Sequence, residues 1–256
     1  MEPRRIILLG ASNLTLAWPR LLDVIASVCP EPMEVRTAHG MGRSYFLPYS
    51  RFVFRELPGI LQSGLWSSLA QTPDREPLAL ITDIGNDLVY GRQPAEIVDA
   101  IDECVTRIRS WHPESRIVLT RPPVTSVQDV GRLRFAFFRR VLFPATSLTL
   151  EMIKTGTAEL DDRLVALANE RSVCLVEPER QWYGLDPIHV RLRWQRAAFR
   201  KILQHWGMGI TDCNDVAKRV RVSGRRPVPE TVLRLGREQI HSQPSIQTKD
   251  FSVFCY

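Results

Sequence analysis

The sequence predicts an α/β fold, a three-layer α/β/α sandwich around a mainly parallel, five-stranded sheet. Three observations point there. Five short β-branched or Leu-rich runs are separated by stretches with apolar residues at helical spacing, so strand and helix alternate along the chain. Several of these runs lack polar alternation, as strands covered by helices on both faces do. The chain has 256 residues, 44% hydrophobic and 24% charged, enough to build one full-sized α/β core and too apolar for a largely disordered protein.

The first strand is Arg5–Leu9. Its apolar stretch, Ile6 to Ala11 with Gly10 inside it, is too short for a secretory signal or a membrane span, so it reads as buried strand. A helix follows over Trp18–Val28, with Leu21, Leu22, Ile25 and Val28 on one face and Pro19 tolerated in its first turn. The second strand is Glu34–Ala38 and the third Leu78–Ile84. The helix after them, Ala95–Trp111, carries Ile97, Ile101, Val105 and Ile108 at helical spacing. Strand Arg116–Thr120, helix Glu159–Arg171, strand Val173–Val176 and helix Leu192–Trp206 complete the alternation, with right-handed crossovers expected. Residues 1–206 are therefore taken as the core domain. Residues 207–256, richer in Gly and Pro, are taken as a basic extension outside the sandwich that packs against the core or a partner. Its last residues, Phe251–Tyr256, are β-prone and suit a sheet edge in this chain or a partner.

The formal charge of +6 is spread over both segments and does not imply nucleic acid. The basic run Lys218–Arg226 has no aromatic residues for base stacking and reads as solvated surface. Five cysteines, at 29, 104, 174, 213 and 255, are odd in number and form no C-x-x-C pair, which fits a reducing compartment and no disulfide framework. The expected location is cytoplasmic, with no integral membrane association.

In open parallel sheets ligands lie beyond the carboxyl ends of the strands, so the residues just after each strand carry the functional signal. Gly10-Ala11-Ser12-Asn13 follows the first strand. Ser12 there projects from the carboxyl edge with its N–H near a helix start; the plainer use of Ser12 or Asn13 is as an N-cap. His39-Gly40-Met41-Gly42 follows the second strand, where glycine lets a backbone N–H approach a ligand. Asp83-Ile84-Gly85-Asn86-Asp87 ends the third strand. The Asn86 amide there is either a donor into the cleft or part of an Asn-Asp turn. Asp186-Pro187-Ile188-His189 precedes the last helix. An Asp three residues before a His can hold the imidazole in one tautomer, although Asp-Pro is also a common helix start.

The order Ser after strand one, Gly after strand two, Asn after strand three and Asp-x-x-His before the last helix resembles the SGNH (GDSL-like) serine hydrolase family over residues 5–206. The resemblance implies an esterase in which Ser12 is the nucleophile, His189 the general base and Asp186 its orienting partner. It also implies an oxyanion hole of Ser12 N–H, Gly42 N–H and the Asn86 side chain. Two features depart from the family pattern. The block reads Gly-Ala-Ser rather than Gly-Asp-Ser. Gly40 and Gly42 are two apart rather than three, which leaves Gly40 as the alternative to Gly42.

That reading carries no cofactor and no metal; Asp83, Asp87 and Glu177 lack metal-ligand spacing. The expected partner is a small-molecule, lipid or sugar ester, selected by loops 43–65 and 122–158. Acyl transfer through the same residues and a catalytically inactive binding module are the alternatives, with a nucleotide-binding Rossmann module third because the first loop has one glycine. The Arg132–Arg140 segment interleaves arginine and phenylalanine and reads as an amphipathic helix with water-facing arginines, or else as a lid or membrane-touching surface. His39 lines the second loop without an identified partner.

Overall fold

A computed structural model describes residues 3–29, 32–73, 75–142, 148–207 and 226–256. Strand β1 (Arg4–Leu9) leads through helix α1 (Ser12–Val28) to β2 (Met33–Ala38). An antiparallel hairpin follows, β3 (Tyr49–Phe52) and β4 (Arg55–Pro58), then the short α2 (Leu65–Ala70). The chain returns to the sheet as β5 (Leu78–Ile81), crosses through α3 (Pro94–Trp111) to β6 (Arg116–Thr120), and passes α4 (Val124–Gln128), α5 (Arg132–Leu142) and α6 (Leu150–Glu170) before β7 (Cys174–Val176). Helix α7 (Gln195–Leu203) closes the sandwich. The remaining residues supply β8 (Thr231–Arg234), β9 (Arg237–Ile240), β10 (Ile246–Gln247) and β11 (Phe251–Cys255).

The main sheet runs β10-β11-β2-β1-β5-β6-β7, parallel throughout except for β10. Residues Ile6–Leu9 of β1 are fully buried, which explains the absence of polar alternation. Ile6 and Leu8 pack with Trp18, Leu22 and Ile25 of α1 and with Phe199 and Leu203 of α7. Ile7 and Leu9 turn to the opposite layer, against Ile97 and Ile101 of α3 and Leu160 and Leu164 of α6. The chain moves from β1 to one side as β2 and then to the other as β5. The strand order therefore reverses at β1, and a crevice opens at its carboxyl end. Ser12 lies there.

The α/β sandwich agrees with the expectation, but the sheet has seven strands instead of five. Strand β11 lies parallel to β2, with Val253 opposite Val35, so Phe251–Cys255 joins an edge of this chain's own sheet and β10 pairs outside it. A two-residue strand carries no periodicity, and the β-prone end of the chain does not by itself name the strand it joins. A second, four-stranded antiparallel sheet, β3-β4-β8-β9, joins the hairpin after β2 to the C-terminal segment. Part of the region set outside the sandwich is thus integral to both sheets. Most of the basic run, residues 218–225, and Cys213 lie outside the described residues.

Helix α1 begins at Ser12, six residues before the expected start, so Pro19 sits in its interior rather than its first turn. Proline there removes one i→i−4 hydrogen bond. Among the described residues no helix is long and apolar enough to cross a membrane.

Candidate active site

The turn from β1 into α1 leaves no room at Gly10. A Cβ there would lie 2.9 Å from both Leu14 Cδ1 and Thr82 Cγ2. Ala11 occupies the N-cap position and makes no side-chain cap, so neither Ser12 nor Asn13 has the capping role. The cap comes from the neighbouring strand end. Asp83 Oδ2 accepts from Ala11 N at 2.8 Å and from Asn13 N at 3.0 Å. A carboxylate at a helix N-terminus is favourable to both the free N–H groups and the helix dipole. The Ser12 N–H, between those two, donates to no group among the described residues.

Asp83 reaches this position from a left-handed backbone, φ 61° and ψ 27°, uncommon for a residue with a side chain and tolerated best by Asp and Asn. Asn13 then bridges two loops. Its Nδ2 donates to Asp83 Oδ1 at 2.6 Å and to Ile188 O at 2.9 Å, and its Oδ1 accepts from Val190 N at 2.8 Å. The Ser12 turn and the His189 loop are therefore fastened through one amide.

Ser12, His189 and Asp186 form one hydrogen-bonded series. His189 Nε2 lies 2.8 Å from Ser12 Oγ, and His189 Nδ1 lies 2.5 Å from Asp186 Oδ2. The other carboxylate oxygen, Oδ1, accepts from Ile188 N at 3.0 Å and His189 N at 3.1 Å. Burial raises the Asp186 carboxyl, but its hydrogen bonds to His189 and to these amides outweigh that and hold it below the usual range. Burial works against a charged His189, yet the Asp186 hydrogen bond and charge, with Asp83 farther off, raise it above an ordinary histidine. An ionised Asp186 only accepts, so Nδ1 carries the proton of the neutral ring. Nε2 then accepts from the Ser12 hydroxyl.

The loop after β2 is laced to the turn Ile84–Tyr90 after β5. Asn86 Nδ2 donates to Arg43 O at 3.0 Å, and the Tyr90 hydroxyl donates to Gly42 O at 2.5 Å. Asp87, buried completely, accepts from the Ser44 hydroxyl and, at 2.8 Å, from Tyr45 N. Desolvation pushes its pKa up to about 6 despite those bonds. Gly42 has φ +66°, the left-handed region that only glycine enters freely. The N–H groups of Gly40 and Gly42 donate to no group among the described residues.

Ser12 and Asn86 line a common cavity of about 110 Å³, walled by Pro122, Val127, Ile153, Trp182 and Phe199. Gly42 lies outside that lining and is tied to Asn86 through the Arg43 carbonyl. His39 stands apart from the Ser12–His189–Asp186 series, stacked on Trp18 with ring centroids 4.7 Å apart.

Two supporting residues carried weak sequence signals. Asp83, in sequence only an acid near Asn86 without metal-ligand spacing, caps the turn that carries Ser12. Arg134 of α5 was expected to face water. Its guanidinium instead donates to Leu185 O and, at 2.6 Å, to Gly184 O, bracing the loop just before Asp186.

No protein-family profile matches the sequence, and no curated protein sequence matches it. Solved structures share its fold. A carbohydrate acetylesterase from Sinorhizobium meliloti superposes with a TM-score of 0.56 at 16% identity, over 78% of this chain and 97% of the other. The aryl esterase of M. smegmatis superposes with a TM-score of 0.53 at 18% identity, over 78% and 97%. A putative GDSL-like lipase from Parabacteroides merdae gives 0.52 at 12% identity, over 82% and 98%. The architecture of this chain is thus the one these solved structures share.

Proposed function

We propose that this chain is a serine hydrolase of carboxylic esters, with Ser12 as nucleophile. The observation that carries the reading is the Ser12–His189–Asp186 series at 2.8 and 2.5 Å, at the point where the strand order reverses. A serine hydroxyl is a weak nucleophile at neutral pH and needs a base within hydrogen-bond reach. His189 Nε2 takes the Ser12 proton as Oγ adds to the ester carbonyl. Asp186 keeps the ring in the required tautomer and stabilises the imidazolium that forms.

The carbonyl oxygen gains negative charge in this step. Ser12 N–H at the start of α1, Gly42 N–H and the second hydrogen of Asn86 Nδ2 are the donors assigned to it. Collapse of the tetrahedral species breaks the bond to the alcohol, which leaves with the His189 proton. Water then adds to the Ser12 ester, gives a proton to His189, and releases the acid and free Ser12.

The cavity beside Ser12 and Asn86 is apolar in its walls and, at about 110 Å³, smaller than the ~150 Å³ apolar cavity that holds one benzene molecule. It suits a short acyl chain. The sharing of the fold with an acetylesterase and an aryl esterase is consistent with that reading. The test is hydrolysis of 4-nitrophenyl esters from acetate to decanoate by the wild type and Ser12→Ala. The expected result is fastest turnover for the shortest acyl groups and loss of all turnover in the variant. Turnover retained in Ser12→Ala would exclude the mechanism.

A further inference from the structure

A second cavity, of about 370 Å³, lies on the other flank of α1, between the loop after β2, the β3–β4 hairpin and the C-terminal segment. Thr15, one helical turn beyond Ser12, is in its wall, as are Gly40 and Met41. Its aromatic wall reaches the glycine loop, since a Cβ on Gly42 would stand 3.7 Å from Phe52 Cδ2. The cavity therefore lies one helical turn from Ser12, which itself lines only the apolar one.

Its charge is of one sign. Arg55, Arg226 and Arg234 line it. On the small sheet Arg55 pairs directly with Arg234, and Arg234 pairs with Arg237, so three arginines form one row across β4, β8 and β9. Like charges directly opposite one another on a sheet are unfavourable. Among the described residues none of these four arginines has an ion-pair partner. Half-buried Arg55 and the exposed Arg226 and Arg234 thus set three forked donors around one cavity, an arrangement that fits a site completed by an anion.

His39 stands in the same wall. Burial and then the charges of Arg43, Arg55 and Arg226 hold its pKa down at about 3, so the ring is neutral. Thr37 Oγ1 gives its one hydrogen to Leu8 O at 3.0 Å, so at 2.8 Å it accepts from His39 Nδ1–H. Nε2 is left as an acceptor in an otherwise donor-rich wall.

We infer that this cavity binds an anionic group, carboxylate or phosphate, carried on the alcohol part of the ester. The apolar cavity takes the acyl chain, and the basic one takes the leaving alcohol. The assignment to the alcohol rests on the ester-hydrolase reading; the anion site itself rests on the arginines.

The test therefore separates binding from turnover. Ser12→Ala protein is titrated by calorimetry with 4-hydroxyphenyl phosphate, 4-hydroxybenzoate and neutral hydroquinone, with and without Arg55→Gln/Arg234→Gln. One anionic phenol should bind at least about tenfold more tightly than hydroquinone, and that advantage should fall by about tenfold in the arginine variant. The stronger of the two anions identifies the group. No advantage for either anion, or an advantage unchanged in a folded arginine variant, overturns the inference. In the wild type, 4-acetoxyphenyl phosphate or 4-acetoxybenzoate should exceed phenyl acetate in kcat/KM by a similar factor. Binding without any turnover would retain the anion site and remove the esterase reading. Faster turnover of a 4-nitrophenyl ester with the anion on its acyl chain would reverse the assignment of the two cavities.

Discussion

Asp83 and Asn13 are joined twice: Oδ2 of Asp83 accepts from the backbone N–H of Asn13 at 3.0 Å, and Oδ1 accepts from its side-chain amide at 2.6 Å. Asn13 passes that constraint to the neighbours of His189 through Ile188 O and Val190 N. The spacing of Ser12 and His189 is thus set by a pair that touches neither reacting atom.

Asn13→Ala should lower kcat more than it raises KM, by up to ~10²-fold, the scale of a misplacement near 1 Å. Steady-state kinetics on a short-chain aryl ester, with circular dichroism to verify folding, checks this. Asn13→Asp should be worse, because it sets a second carboxylate against Asp83. Equal kinetics for wild type and Asn13→Ala would remove the positioning role.

The acid limb of kcat/KM should report His189. Its pKa is raised in the folded protein, and catalysis needs the neutral ring. Activity therefore increases with pH through a value above the ordinary ~6.5. Asp186→Asn removes the charge that raises it, so the limb should move to lower pH while kcat falls by about 10²–10⁴. A pH–rate profile of both proteins decides this. A limb that stays in place would mean another group controls it.

Much of this site was legible in the sequence, for a physical reason. Ser12, Asn86 and His189 lie at or just beyond ends of elements whose apolar patterns are strong, and parallel topology brings those ends to one edge. The partners that hold them are spread across the chain and depend on strand order. Asp83 meets Ala11 and Asn13 only because β5 lies beside β1, and Arg134 reaches residues 184 and 185 from a helix whose amphipathic pattern does not say which loop it touches. Likewise the pairings of β11 with β2 and of β4 with β8 join segments far apart in sequence, and local periodicity does not name such partners.

Asn86→Ala should reduce kcat by about 10²–10³ with little change in KM, as for loss of one oxyanion donor. The same variant frees the Arg43 carbonyl, so a modest fall in Tm is also expected. Gly42→Ala adds strain of about 1 kcal/mol at φ +66° and crowds the Tyr90 hydroxyl, so it should lower both kcat and Tm. Thermal melts alongside kinetics separate the two effects. An unchanged kcat in Asn86→Ala would remove it from the oxyanion hole.

Arg134→Ala should slow turnover by roughly tenfold, since Gly184 and Leu185 lose their brace while Asp186 keeps its own amide bonds. Hydrogen exchange at residues 184–189 should increase in parallel. Unchanged exchange there would show that α5 does not hold this loop.

The central claim is that Ser12 is an activated nucleophile. Wild type and Ser12→Ala are treated with a fluorophosphonate and measured by intact mass. One adduct is expected on the wild type and none on the variant. A folded wild-type protein that takes no adduct, or an adduct that persists in Ser12→Ala, would contradict it.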